Sequence, residues 1–274
     1  MTDHENYRAL RVAASIDPLG GGRYRATIAE SYTVVGHPNG GYLQCLLASG
    51  ALAAASEDGS KHQHATAVAA NYSSPPEIGP AELRTEVRRV GRGVSFVHVT
   101  MVQDDRVTTE AVVTLGTLRD GPHRYLGAQV PEIATIEECV KLEASEESIH
   151  QILDLRLDPS CTGFMREERS IDGEVSGWMR LNDGDASWSA WSLLFAADAM
   201  PPATFPLGSS GWVPTLQMTT YVRRIPVGEW LRARQWCVVV ADDLVDERCE
   251  LFDDRGELVA WSSQLAMVRF RTTH

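Results

Sequence analysis

Residues 39–55, NGGYLQCLLASGALAAA, predict a long helix that has to be buried. Apolar side chains recur at helical spacing through this stretch and few polar residues interrupt them. A helix that is hydrophobic almost all round its axis belongs in the interior of a fold rather than on its surface. We therefore expect a central helix over 42–55, begun by Asn39, Gly40 and Gly41, whose buried positions include Leu43, Leu46, Leu47, Ala51 and Ala54.

The segments around this helix indicate strands, because runs of β-branched and aromatic residues alternate with turn residues. Two strands are expected before the helix, at 12–16 and 23–28, on either side of a turn at 17–22. The strands expected after it are at roughly 65–75, 81–90, 94–102 and 107–118. A sheet that curls around one central helix satisfies this order and buries the helix.

The second half of the chain repeats this pattern, with a spacing of 149 residues between matching landmarks. The landmarks are Tyr72 with Tyr221, Gly79 with Gly228, Asp104-Asp105-Arg106 with Asp253-Asp254-Arg255, and Ala111 with Ala260. Further strands are therefore expected at roughly 152–157, 174–181, 215–224, 230–240, 246–252 and 257–270. A second central helix is expected over 187–199, capped by Asp185 or Ser187, with Trp188, Trp191, Phe195 and Ala199 on one face.

This duplication predicts an α+β fold of two tandem domains, 1–120 and 148–274, each with an antiparallel sheet wrapped around its helix. The segment 121–147 between them differs in composition, and we expect an acidic, solvated, partly helical linker. Its acidic residues are Glu132, Glu137, Glu138, Glu143, Glu146 and Glu147.

Composition narrows the classes of function. The chain has 274 residues, a formal net charge of −12 and a pI near 5.1, which argues against binding to nucleic acid or to an anionic membrane. The sequence contains neither a long apolar span nor a signal-peptide pattern at its N-terminus. Its five cysteines are scattered without metal-ligand spacing, so we expect a cytoplasmic protein with reduced thiols, no metal and no cofactor.

Five stretches resemble one family, the acyl-CoA thioesterases of double-hotdog fold, in their type II, actinobacterial form. The stretches are GHPNGGYLQCLLASGALAAA at 36–55, NYSSPPEIGPAELRTEVRRVGRGVSF at 71–96, SLLFAADAMPP at 192–202, TLQMTTYVRRIP at 215–226 and VAWSSQLAMVR at 259–269. The resemblance implies a double hotdog, an antiparallel sheet wrapping a helix in each half. It also implies hydrolysis of acyl-CoA to a free fatty acid and coenzyme A, within fatty acid metabolism.

The resemblance assigns the catalytic roles to Asp198, Thr215 and Gln264 of this chain. Asp198 suits a general base, because the apolar run before it predicts burial, and burial raises the pKa of a carboxylate. Thr215 and Gln264 offer a hydroxyl and an amide that can hold a water molecule. The segment 199–214 between the aspartate and the threonine is shorter than in bacterial type II enzymes, which should reshape the acyl pocket.

Substrate contacts are expected from the first half. The backbone N–H groups around Gly40, Gly41 and Tyr42 begin a helix and could receive the thioester oxygen. His37 and Asn39 lie beside them, and Arg89 and Arg92 are candidate contacts for the phosphates of coenzyme A. We expect one composite site per chain, because the two central helices of a paired hotdog run side by side and the helix start of one half can face the side chains of the other. The equivalent second site is expected to be inactive, because the 149-residue spacing matches Asp198 with Ser49 and Gln264 with Leu115.

Two other functions remain open. The chain could be a non-catalytic acyl-CoA or lipid-binding hotdog protein, or a hotdog enoyl-CoA hydratase or dehydratase. The second alternative resembles a family with a histidine on the central helix, and neither predicted helix contains one. The sequence contains no GxSxG motif, which argues against a serine hydrolase. Fused hotdogs often pair further through their sheets, so a homo-oligomer is expected.

Overall fold

The computed structural model describes residues 10–143, 149–182 and 187–270. Among them, thirteen strands form one antiparallel sheet, and a separate two-stranded hairpin precedes the central helix. The first half contributes six strands to the large sheet, in the spatial order β1-β2-β6-β7-β8-β5. Their bounds are β1 Ile16–Gly20, β2 Arg23–Ile28, β5 His64–Tyr72, β6 Gly79–Val90, β7 Ser95–Gln103 and β8 Arg106–Gly116, and the hairpin is β3 Thr33–Val34 with β4 His37–Pro38.

The second half repeats the order as a mirror image, β12-β15-β14-β13-β11-β10, followed by the short edge strand β9. The two halves join where β5 pairs with β12, with Ala69 opposite Thr219 near the middle of the ladder. The predicted duplication is therefore present as one continuous sheet. The strand bounds are β9 Val140–Lys141, β10 Leu153–Leu157, β11 Glu174–Leu181, β12 Thr215–Val222, β13 Leu231–Ala241, β14 Leu244–Phe252 and β15 Leu258–Met267.

The long helix α2, Gly40–Glu57, lies in the first half as predicted and is buried along most of its 18 residues. It packs against β5, β6, β7 and β8 on the inner face of the curled sheet. Asn39 caps its first turn by accepting the Tyr42 N–H at 2.9 Å. The all-round apolar pattern therefore identified the helix and its burial correctly.

The second predicted helix, 187–199, is wrong in its length. Only one helical turn forms, α3 Leu193–Ala196, and turns flank it on both sides. Ser189 and Ser192 each accept the other's backbone N–H, at 3.1 and 2.8 Å, which ends the helix on its N-terminal side. Ser187 lies before this pair, and the other expected cap, Asp185, lies outside the described residues.

The first predicted strand, 12–16, is also wrong. Residues Leu10–Ala13 form a short helix, α1, whose Leu10 and Ala13 are buried, and β1 begins only at Ile16. Asp17 and Pro18 belong to β1 and pair with β2, so the turn is confined to Gly21 and Gly22. Both glycines have positive φ, 62° and 70°, a conformation that other residues rarely adopt.

The acidic segment 121–147 contains no helix in its described part, 121–143. It runs against the second half instead. Its Ala134 carbonyl accepts the indole N–H of Trp178 at 2.9 Å, and β9 pairs with β10. Glu146 and Glu147 lie outside the described residues, and the domain limits at 120 and 148 stay a prediction.

Candidate active site

A cavity of about 1110 Å³ lies between the two halves, and both halves line it. The first half contributes its residues from the start of α2 and from the loop after β5, and the second half contributes residues from the end of α3, from β12 and from β14 and β15. Six of the predicted site residues line this cavity: His37, Asn39, Gly40, Asp198, Thr215 and Gln264. Residues that are far apart in sequence are thus brought to one place.

Asp198 follows α3 and points at the beginning of α2. Its Oδ2 accepts the backbone N–H of Gly41 at 2.9 Å and the side-chain amide of Asn39 at 3.0 Å. The same amide donates to the Asp198 backbone carbonyl at 2.8 Å. The acid of the second half is therefore held by donors of the first half, at the N-terminus of α2, where the helix dipole favours negative charge.

Two glycines make this approach possible. A Cβ on Gly41 would lie 2.6 Å from the Leu194 carbonyl oxygen and 2.9 Å from that of Phe195. A Cβ on Gly40 would lie 3.0 Å from the Asp198 carboxylate. Any side chain at position 41 would push α2 away from α3. The two glycines therefore allow the start of α2 to lie close to α3 and to Asp198.

The pKa of Asp198 is raised to about 6. Burial is the main cause, because it disfavours the charged form. Hydrogen bonds from Gly41, Gly40 and Asn39 act in the opposite direction and keep the pKa from rising further. A carboxylate with a pKa just below neutrality is ionised at physiological pH and basic enough to take a proton.

Thr215 and Gln264 form a second polar group in the same cavity. The Thr215 hydroxyl donates to Gln264 Oε1 at 2.8 Å, and Gln264 Nε2 donates to Glu247 Oε2 at 2.8 Å. The side chains come from β12, β15 and β14, which are neighbours in the sheet. A chain of hydrogen bonds therefore crosses three strands and ends on a carboxylate.

Glu247 is a site residue that the sequence reasoning missed. It lines the cavity, is 1% exposed, and accepts the Ala203 N–H at 2.8 Å through Oε1. Burial, and to a lesser extent the nearby Asp198 charge, raises its pKa to about 7, although hydrogen bonds from Gln264 and the Ala203 N–H lower it. One signal was present in the sequence, since Glu247 falls in an apolar period-two row formed by Val245, Cys249 and Leu251.

The expected use of the α2 backbone as an oxyanion site is corrected by these contacts. The Gly41 N–H already donates to Asp198, and the Tyr42 N–H already donates to Asn39. The Tyr42 side chain is not among those lining the cavity. It stacks on Tyr32 and bonds to the Ala13 carbonyl at 2.8 Å. Tyr42 therefore belongs to the core, and Gly41 positions the carboxylate.

Arg89 and Arg92 do not line the cavity. The cavity wall includes Pro75 and Pro76 just before β6, whereas Arg89 is at the other end of that strand and Arg92 is in the following turn. At about 3.3 Å per residue, this separation is on the order of 30 Å along the strand. The arginine that does line the cavity is Arg269, which is exposed and follows β15.

His37 stands at the cavity wall on β4, and its ring stacks on Trp212 with centroids 3.7 Å apart. Trp212 belongs to the segment 199–214, which contributes much of the wall on the second-half side. Its residues there are Ala199, Met200, Pro201, Pro202, Phe205, Ser210, Gly211, Trp212, Val213 and Pro214. The His37–Trp212 contact thus joins the two halves beside the site.

Within the described residues, the structure has no helix long and apolar enough to cross a membrane.

Family comparisons match both halves. Residues 28–116 match the family described as "Acyl-CoA thioesterase N-terminal domain", and residues 131–268 match "Acyl-CoA thioesterase C-terminal domain". An uncharacterised protein of Mycobacterium tuberculosis is 30% identical over 269 residues, which cover 89% of this chain and 90% of that protein.

Solved structures show the same architecture. A protein of Thermobifida fusca, provisionally named a thioesterase II, has a TM-score of 0.86 at 30% identity, covering 95% of this chain and 97% of that one. A hot dog fold protein of unknown function from Alicyclobacillus acidocaldarius has a TM-score of 0.82 at 20% identity, covering 96% of this chain and 98% of that one. The α+β double-hotdog fold predicted from the sequence is confirmed.

Proposed function

Because the chain belongs to the acyl-CoA thioesterase family, we propose that it hydrolyses acyl-CoA to a free fatty acid and coenzyme A, with Asp198 as the general base. The observation that carries this proposal is the position of Asp198. It lines a large cavity, its pKa lies near 6, and its Oδ2 is held by Gly41 and Asn39. The orientation of the carboxylate is therefore fixed before substrate binds.

The attacking water would be held by three side chains. It donates one proton to the Asp198 carboxylate and the other to the Thr215 oxygen, whose own proton is donated to Gln264. The Gln264 amide has a second N–H, which can donate to the water. One lone pair of the water is then left to attack the thioester carbon.

The bond changes follow directly. The water oxygen bonds to the carbonyl carbon as Asp198 takes the proton, and a tetrahedral intermediate forms. Its collapse breaks the carbon–sulfur bond, releases the thiol of coenzyme A with the proton from Asp198, and leaves the carboxylic acid. Asp198 returns to its ionised form for the next turnover.

The cavity favours an acyl group of medium or long chain. Its wall away from the catalytic side chains is mostly apolar, and its volume of about 1110 Å³ exceeds what a short acyl group fills. The apolar residues of the wall include Leu43, Leu142, Ile149, Phe164, Met200 and Phe205. We assign the contact with the coenzyme A phosphates to Arg269, in place of Arg89 and Arg92.

The test is the release of free thiol from a panel of acyl-CoA esters, from acetyl to stearoyl, by the purified protein. We expect release that is fastest with a medium or long chain. In parallel, a 2-enoyl-CoA is followed for hydration of its double bond. Hydration without thiol release would favour the hydratase alternative, and tight binding without either reaction would favour the binding protein. Either result would overturn the proposal.

We further propose a cytoplasmic location, a role in fatty acid metabolism and a homo-oligomer formed through the sheets.

A further inference from the structure

Glu247 is a buried carboxylate that the proposed hydrolysis does not use directly. Its Oε1 accepts the Ala203 N–H, and its Oε2 accepts the side-chain amides of Gln264 at 2.8 Å and Gln235 at 3.2 Å. Glu247 and Gln264 are also direct partners in the β14–β15 ladder. The contact between them is thus built into the register of the sheet.

We propose that Glu247 is a positioning residue that sets the direction of the hydrogen bonds running through Gln264 to Thr215. An ionised carboxylate can only accept, so Gln264 has to turn its nitrogen toward Glu247 and its oxygen toward Thr215. Thr215 then has to donate to Gln264, which leaves its lone pairs for the attacking water. This inference rests on the proposed hydrolysis, because the water is what the orientation serves.

Protonation of Glu247 would allow the opposite direction. A carboxylic acid can donate to Gln264 Oε1, whose nitrogen would then face Thr215, and the Thr215 proton would point into the cavity. In that state the Thr215 hydroxyl faces the water with its proton and one lone pair, instead of with two lone pairs. The geometry therefore couples one proton on Glu247 to the orientation of Gln264 and Thr215, through two successive hydrogen bonds of 2.8 Å each.

The surroundings of Glu247 support a titration near neutral pH. The titratable groups that interact electrostatically with Glu247 are Asp198 after α3, Cys237 on β13 and Cys249 on the same strand as Glu247. The segment after α3 also presents the N–H groups of Ala203 and Thr204. Burial and the Asp198 charge together raise the pKa of Glu247 to about 7.

The first test is Glu247→Gln, which keeps the size of the side chain. Both ends of the carboxylate accept hydrogen bonds, and a glutamine has only one accepting end, so the Gln264 amide loses its fixed orientation. We expect kcat to fall about 10- to 100-fold, the scale of one charge-assisted hydrogen bond, with KM changed much less. Glu250→Gln is the matched control, because Glu250 lies on β14 outside the cavity wall and should leave kcat unchanged.

A double-mutant cycle separates positioning from a general structural role. If Glu247 acts through Gln264, then Glu247→Gln should change kcat by less than about 3-fold in a Gln264→Ala background. Losses that multiply in the double variant would overturn the inference.

The pH profile gives a second readout. Asp198 has to be ionised, and ionised Glu247 favours the active arrangement, so log kcat should rise between about pH 5 and pH 7 with a slope above the value of one that a single ionisation allows. Glu247→Gln removes one of the two ionisations, and its slope should be about one. An unchanged slope in this variant would contradict the role of Glu247.

A measurement without turnover keeps the inference separate from the proposed function. The side-chain amide resonances of Gln264, identified by their loss in Gln264→Ala, should shift with pH around 7 in the unmutated protein. If the protein hydrolyses no acyl-CoA, the proposed function fails, and this titration still decides whether Glu247 orients Gln264. Because the titration uses the unmutated protein, it also tests the orienting role of Glu247 if the Glu247→Gln variant does not fold. A Gln264 amide signal that does not change between pH 5 and pH 9, about two units on either side of the Glu247 pKa, would overturn the inference.

Discussion

The second half of the sheet places Glu247 opposite Gln264 on β14 and β15, whereas the first half places Val97 opposite Val113 on β7 and β8. Both valines are fully buried against the long helix side of the sheet. The same ladder position thus holds a polar pair in one half and an apolar pair in the other. Duplication supplied two equivalent ladder positions, and the second half carries a polar pair at this one.

The equivalence of these positions follows from the register. In the first half, the pairing of β5 with β8 skips one residue of β5 directly after the Ala65–Leu115 pair. In the second half, the pairing of β12 with β15 skips one residue of β12 directly after the Thr215–Ala266 pair. Thr215 therefore corresponds to Ala65. Ala266 corresponds in the same way to Leu115, so Gln264, two residues before Ala266, corresponds to Val113. The match of Gln264 with Leu115 that the sequence spacing predicted is therefore wrong.

The helices show the converse division. The first half has the 18-residue helix α2, whose first turn donates to Asp198. At the corresponding place, the described part of the second half has the single α-helical turn α3, which ends two residues before the aspartate. Each half therefore lacks what the other supplies. The first half provides N–H donors and core, and the second half provides the acid, the hydroxyl and the amide.

The largest expected effect comes from removing the acid on the second-half side. Asp198→Asn keeps the size of the side chain but cannot take a proton from water, so kcat should fall by about 10²-fold or more. Binding of acyl-CoA should change little. Steady-state thiol release measures both, with Asp246→Asn on the exposed face of β14 as the control.

Placing the polar pair Glu–Gln at the Val97–Val113 position of the first half tests whether this ladder position is sufficient for an active site. Val97→Glu with Val113→Gln should lower the free energy of unfolding by about 3–5 kcal/mol, because a carboxylate would be buried without its other donors. It should create no second active site. Denaturant unfolding gives the cost, and Val112→Gln, at an exposed position of the same strand, is the control.

A two-site protein of full stability would show instead that the two halves are interchangeable.

The contact between the helices gives the next effect. Gly41→Ala places a methyl group 2.6 Å from a backbone oxygen of α3, so we expect a loss of about 1–3 kcal/mol in stability and a lower kcat. Gly93→Ala is the control, because a Cβ there meets nothing within 4 Å. Thermal unfolding and thiol release of the two variants should differ clearly. Equal behaviour would mean that the approach of α2 to Asp198 is not needed.

A smaller effect concerns stability and pH. The pKa of Asp198 is about 6 in the folded protein and near 4 in the unfolded chain, so folding favours the protonated acid. Its stabilising contribution is complete below pH 4 and is lost as the pH rises to about 6. Asp198→Asn should therefore be more stable than the unmutated protein at pH 8, by roughly 1–3 kcal/mol, and this advantage should disappear near pH 4. Urea unfolding at the two pH values checks the sign.

The sequence predicted the elements whose signals are local. The apolar run predicted α2, and the alternating patterns predicted most of the strands of both halves. The catalytic role of Asp198, inferred from the apolar run before it and the family resemblance, stays a prediction. The helix predicted over 187–199 was too long, because Ser189 and Ser192 bond to each other's backbone N–H groups and end the helix before its apolar pattern ends.

Other features depend on contacts between distant segments. The N–H groups of Gly41 and Tyr42 looked available, and only the approach of Asp198 and the turn of Asn39 show that they are used. Glu247 was overlooked because a glutamate in a strand usually faces solvent. Arg89 was chosen for its charge, although its distance from the cavity follows only from where β6 begins and ends.

The most direct test of the composite site is the stoichiometry of binding. A thioether analogue of a medium-chain acyl-CoA, which cannot be hydrolysed, is titrated into the full chain by calorimetry. We expect one analogue bound per chain, since Thr215, Glu247 and Gln264 have only apolar counterparts at Ala65, Val97 and Val113. Two equivalent binding sites per chain would contradict the assignment of the chemistry to the second half.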